Sequence, residues 1–279
     1  MQALRTLLLL AACGLATACA QLGKPATVTS PAGAAPAVKT EGVKALLWVG
    51  NSFYYYNNSM HGHVGQLLNA GGVRGHRATS ATISGSGLNW HDVDAHLRPG
   101  GVGSYSFVGD NEIRFNEGGR LFDAVMMMDC SQCPIHPQLG PLFHEFAKKH
   151  SDTARRRGAE PIFFMSWAYA DKPEMTEPLA AEYVKAGKAN NALVVPAGLA
   201  FAESIRRRPD IGLTVADKRH PNLAGTYLAA CTVLASVYKV NPVGNRYTAG
   251  LPPEVAAHLQ AVAAATAQAF HAREGRGSL

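Results

Sequence analysis

The sequence predicts an α/β protein built on a mostly parallel sheet with helices on both faces. Three observations lead there. Short apolar runs alternate with helical stretches along most of the chain. Residues 123–128 are almost continuously apolar, as a strand buried on both faces must be. At 279 residues and 47% hydrophobic, the chain is long enough to bury a full core.

Residues 45–49, Ala-Leu-Leu-Trp-Val, read as the first strand and 61–69 as the helix after it. Residues 77–84 follow as a second strand, and 123–128 as the central one. Then come a helix over 139–157, a strand over 161–168, a helix over 178–188, a strand over 192–195 and helices over 200–208 and 223–240. The last helix, 253–270, carries Val255, Leu259, Val262 and Phe270 at roughly helical spacing. Residues 98–119 break this rhythm with Pro99, Gly100, Gly101 and Gly103, all turn formers. They are expected to form an insertion, a small hairpin overhanging the site.

The first residues read as a secretory signal. Residues 1–5 carry one positive charge, 6–15 are mostly apolar, and Ala16-Thr17-Ala18-Cys19-Ala20 supplies small residues. The apolar part is short for a membrane span. Both Cys13 and Cys19 follow a lipoprotein-type box. Cys19 leaves the more workable apolar segment and is the favoured site of lipidation; ordinary cleavage after Ala20 is the third option. The expected organisation is a signal of lipoprotein type over 1–19, a linker rich in Ala, Pro, Thr and Gly over 20–42, and one domain over 43–275. That makes an exported bacterial protein, periplasmic or anchored in the outer membrane, touching the membrane only through its anchor.

The formal charge is +6. Its basic runs, 155–157 and 206–208, fall where predicted helices end, and cations there complement the helix dipole. No aromatic residues interleave with them, so a nucleic-acid partner is not expected. Weak attraction to anionic surfaces is compatible with the charge.

Two elements carry chemistry. The first strand runs into Gly50-Asn51-Ser52-Phe53, which places Ser52 on a turn beyond a strand end, where backbone N–H groups can face an oxyanion. A serine hydroxyl needs a base to become a nucleophile. Asp217-Lys218-Arg219-His220-Pro221-Asn222 supplies one: an aspartate three residues before a histidine can reach its Nδ1, leaving Nε2 for the serine proton. Asn222 is placed to cap the following helix. Alone, each element also reads as an ordinary turn serine or a helix start.

Together they resemble the SGNH, or GDSL-like, hydrolases. Trp48-Val49-Gly50-Asn51-Ser52-Phe53, Ser166-Trp167-Ala168-Tyr169, Val195-Pro196-Ala197-Gly198 and the run from His220-Pro221-Asn222-Leu223-Ala224-Gly225 to Ala230 are similar to an uncharacterised exported branch of that superfamily, over about residues 45–244. The resemblance implies a flavodoxin-like three-layer α/β/α sandwich, no cofactor or metal, and an acyl-serine intermediate. It gives Ser52, His220 and Asp217 as catalytic residues. The oxyanion donors it implies are the Ser52 N–H, a glycine N–H in Ile83-Ser84-Gly85-Ser86-Gly87, and a side-chain amide after the third strand. Gly85 is the first choice for the second donor, with Gly87 in reserve. At the third position the expected Gly-x-Asn is replaced by Asp129-Cys130-Ser131-Gln132-Cys133, which leaves Gln132 as the candidate.

Export favours a structural Cys130–Cys133 disulfide over a redox-active pair, with Cys231 as a core residue or an alternative partner. Cys130, Cys133 and His136 have zinc-like spacing but lack a clear fourth ligand; His61 and His63 belong to the helix after Ser52. Met126, Met127 and Met128 read as buried strand. Tyr54, Tyr55 and Tyr56 line a substrate pocket or pack into the core. The expected activity is serine ester hydrolysis on a small-molecule or carbohydrate ester. The alternatives are acyl transfer at the same site and non-catalytic glycan binding.

Overall fold

The computed structural model describes residues 42–116 and 118–274. The signal segment, Cys13, Cys19 and the linker up to residue 41 lie outside the described residues.

In chain order the elements are β1 (Ala45–Gly50), α1 (Ser52–Tyr55), α2 (Met60–Ala70), β2 (Arg77–Thr82), α3 (Val93–Leu97), β3 (Tyr105–Gly109), β4 (Glu112–Phe115), β5 (Ala124–Met127), α4 (Gly140–Arg156), β6 (Glu160–Phe164), α5 (Thr176–Ala189), β7 (Leu193–Val195), α6 (Ala197–Arg207), α7 (Leu223–Val237) and α8 (Pro253–Arg273). Five strands pair in parallel in the order β2-β1-β5-β6-β7. The order reverses direction at β1, so a crevice opens beyond the carboxyl ends of β1 and β5.

Side chains alternate across the sheet. Leu46, Trp48, Met126 and Phe164 enter one core with α2, α7 and α8; Leu47, Val49, Met127 and Phe163 enter the other with α3, α4 and α5. Both faces are covered, hence the unbroken apolar runs. Edge strand β2, Arg-Ala-Thr-Ser-Ala-Thr, is only half-buried along its length. α7 is buried from Ala224 to Val237, because α2 and α8 pack on it. Among the described residues no helix is long and apolar enough to cross a membrane.

One expectation needs correction. The strand expected to run to residue 168 ends at Phe164. There the chain turns so that Trp167 is buried between Phe53 and Phe201, stacked on both rings. Residues 98–119 do contain an antiparallel hairpin, β3–β4. Its base packs on Thr79 in the middle of β2 and on Phe122, just ahead of β5.

Candidate active site

β1 delivers Ser52 to the crevice. At Gly50 an added Cβ would lie 2.9 Å from the Tyr54 ring, so the strand must end on a glycine for the chain to turn over that ring. Asn51 caps α1, its Oδ1 accepting from the Phe53 N–H. The same side chain donates through Nδ2 to the carbonyls of Ser86 and Asp129, at 3.0 and 3.2 Å. One amide thus ties the end of β1 to the loops that follow β2 and β5.

The loop before α7 presents the histidine. Lys218 adopts a left-handed conformation (φ 64°), curling the chain so that the Asp217 carboxylate meets a ring three residues on. Asp217 Oδ1 accepts from the backbone N–H groups of Arg219 and His220, and Oδ2 lies 2.5 Å from His220 Nδ1. Desolvation acts to raise the Asp217 pKa, but the hydrogen bonds from the His220 ring and the two N–H groups prevail and hold it at about 2. An ionised carboxylate only accepts, so Nδ1 carries the proton and, in the neutral imidazole, Nε2 is left as an acceptor. It sits 2.8 Å from Ser52 Oγ, a residue 168 positions away in sequence and 6% exposed.

The loop is held from several sides. Trp167 Nε1 donates to the Arg219 carbonyl, and the Ala170 N–H to that of Lys218. The Arg219 guanidinium lies over the Tyr169 ring, whose hydroxyl is 2.7 Å from that of Ser131. Asn222 accepts from the Gly225 N–H and so caps α7. The three tyrosines divide: Tyr54 is buried against Trp48 and Phe164, Tyr55 bonds Ser84, and Tyr56 stacks face to face on His220.

The chain is similar over 84% of its length to a DUF4886 family protein from Bacteroides uniformis, with 18% identity, a TM-score of 0.60 and 97% of that protein covered. It is also similar over 73% of its length to a protein described as a GDSL-like lipase from Parabacteroides merdae, with 12% identity, a TM-score of 0.52 and 99% of that chain covered. The chain has the SGNH hydrolase fold. The sequence matches no protein-family model and no curated protein.

Around the crevice the remaining sequence candidates take separate places. Gly85 is exposed in the turn after β2, with φ 70° and open space where a Cβ would stand. Gly87 is buried, and its added Cβ would lie 2.7 Å from Asp129 Oδ1, so its job is to let that carboxylate approach. Gln132 is exposed at the start of a 3₁₀ turn, and its side chain has no hydrogen bond among the described residues. Cys130 and Cys133 are joined in a disulfide, and Cys231 is a buried free thiol. With both sulfurs so joined, the Cys130, Cys133 and His136 set has no thiolate to offer a metal; His63 is engaged by Tyr247 and the Asn57 carbonyl.

Three residues at this site have roles that sequence reading does not assign. Asn51 was quoted in its motif without a role. Tyr56 lies four positions after Ser52, the spacing that places two residues on one side of a helical turn, and that signal was legible. Asp129 was not: burial raises its pKa to about 6 while it accepts from the N–H groups of Leu88 and Cys130.

Proposed function

We propose that this chain is a serine ester hydrolase of the SGNH type. Ser52 attacks the acyl carbonyl as Nε2 of His220 takes its proton. Asp217 fixes the ring's tautomer and stabilises the imidazolium as it forms. The acyl group passes to Ser52 Oγ, and the proton on Nε2 goes to the leaving alcohol. Water, deprotonated by the same nitrogen, then releases the acid and restores the serine. The backbone N–H groups of Ser52 and Gly85 receive the oxyanion, with the Gln132 amide as third donor. The observation that carries this reading is the 2.8 Å contact between Ser52 Oγ and His220 Nε2, with Asp217 on the far nitrogen.

An O-acyl group on a carbohydrate or a small ester is the substrate class proposed, acting in an exported, lipid-anchored protein. The exposed hydroxyls of Tyr55 and Ser84, hydrogen-bonded to each other in the segments that follow β1 and β2, suit a hydroxyl-rich substrate better than a long acyl chain.

The test uses p-nitrophenyl acetate and a fluorophosphonate probe on the wild-type protein and Ser52→Ala. Turnover and labelling in the wild type, both lost in the variant, are expected. Labelling that persists in Ser52→Ala removes Ser52 from the chemistry, and a wild type inert to both reagents sinks the hydrolase reading.

A further inference from the structure

Beside the disulfide that follows β5 stands a buried acid that ester hydrolysis does not use. A carboxylate oxygen of Asp129 and the sulfurs of Cys130 and Cys133 all lie within 4.8 Å of one another. Cys133 is buried, whereas Cys130 is half-buried and the more open of the two to a reagent from solution. The Cys133 N–H is aimed at Cys130 Sγ, 3.1 Å away. A donor in that position favours the sulfur as a thiolate.

Asp129 is suited to handle a proton here. Its bonds from the N–H groups of Leu88 and Cys130, at 3.0 and 2.7 Å, both fall on Oδ1 and leave Oδ2 to carry the proton. Burial pushes the carboxyl up to about 6, so it is protonated in mildly acidic solution and ionised at pH 8. The other titratable groups nearby are engaged differently. The Tyr183 hydroxyl of α5 accepts from the Asp129 N–H, the His150 ring of α4 meets the Leu88 carbonyl, and His91 meets Ser86. Export alone favours a structural bridge; an acid set against both sulfurs argues for exchange.

We propose that Cys130 and Cys133 form a second reactive site, a disulfide that exchanges with dithiols while the protein stays folded, with Asp129 as proton donor to Cys133. A thiolate of the dithiol attacks Cys130 Sγ. The S–S bond breaks, and its electron pair leaves on Cys133 Sγ, which takes the Asp129 proton. The dithiol's second thiolate then attacks its own sulfur in the mixed disulfide and closes a ring, releasing Cys130 as a thiolate against the Cys133 N–H. Two electrons pass from the dithiol to the Cys130–Cys133 pair, and Asp129 regains its proton from water. This site does not rest on the reaction assigned to Ser52.

The test follows reduction of the folded, full chain by dithiothreitol, using acid quenching, alkylation and the mass of the peptide that holds both cysteines. The rate is expected to rise linearly with dithiothreitol. A plateau at the rate of global unfolding overturns the proposal, because the bridge then opens only in unfolded chains. Per dithiothreitol thiolate, the wild type is expected to react at least about tenfold faster at pH 5 than at pH 8. Asp129→Asn keeps an acceptor for both N–H groups but has no acid proton. It is expected to lose that factor at pH 5 and to be no slower than wild type at pH 8. A variant as fast as wild type at pH 5 overturns Asp129 as the proton donor.

Discussion

Tyr56 lies flat against His220, with ring centroids 4.4 Å apart and planes 10° from parallel. Phe53 meets the same imidazole edge-on at 5.5 Å. The face of a phenol ring attracts a cation, so the stacked Tyr56 favours the imidazolium that forms during proton transfer, by about 1 kcal/mol. Tyr56→Leu is expected to lower kcat about fivefold with KM little changed, and Tyr56→Phe to keep near wild-type turnover. Steady-state kinetics on p-nitrophenyl acetate distinguish the two. Equal losses in both variants remove the ring face from the account.

Asp217→Asn keeps the shape of the pair but allows the wrong imidazole tautomer, so turnover is expected to fall by about 10²–10⁴ while the protein stays folded. The wild-type carboxylate has its pKa depressed from 3.8 to about 2. Its stabilising contribution is therefore fully present above pH 3.8 and is lost as pH falls from there through about 2. Acid inactivation between pH 4 and 6 must arise from another group, and the Asp217→Asn variant should show it at the same pH.

Asp129 runs the other way. Its pKa is raised from 3.8 to about 6, mainly by burial. Below pH 3.8 the carboxyl is protonated in both folded and unfolded chains and costs nothing. Between 3.8 and about 6 only the unfolded chain ionises, so stability falls as pH rises, and the loss stays constant above that. It amounts to about 3 kcal/mol at most. Asp129→Asn retains an oxygen for the Leu88 and Cys130 N–H groups and removes the charge. Urea unfolding is expected to find the variant more stable than wild type at pH 8 and equal to it near pH 4.

Gly225 lies in the first turn of α7 against the Leu213 carbonyl, and an added Cβ would lie 2.1 Å from that oxygen. The same carbonyl accepts from the Asn222 N–H, so a displaced helix drags the His220 loop with it. Gly225→Ala is expected to cost roughly 1–3 kcal/mol and to lower kcat as well, because Nε2 leaves hydrogen-bond range of Ser52. Thermal unfolding and turnover, measured together, check both halves.

The Cys130–Cys133 disulfide closes a very short loop. On the chain-entropy account its reduction costs about 2 kcal/mol. Cys130→Ser/Cys133→Ser should lose that stability yet remain folded, since Asn51 Nδ2 still holds the Asp129 carbonyl and Ser166 Oγ still donates to Ser131. Denaturant midpoints with and without reductant measure the difference.

The sheet was legible because burial on both faces writes continuous apolar runs at β1, β5 and β6, and helical spacing marks α4, α7 and α8. Ser52, Asp217 and His220 could be singled out because two local patterns, a serine beyond a strand end and a carboxylate three residues from an imidazole, occur in one chain and together resemble a known family; neither pattern alone decides. What the tertiary structure decided was distance across the chain. It brought Ser52 within 2.8 Å of a ring 168 positions away, laid Tyr56 on that ring, and made Asn51 a tie between three loops. Periodicity and turn chemistry act over a few residues and reveal which way each segment points; which segments then meet depends on strand order and on side-chain shape at contact, and neither is written in any local window of the chain.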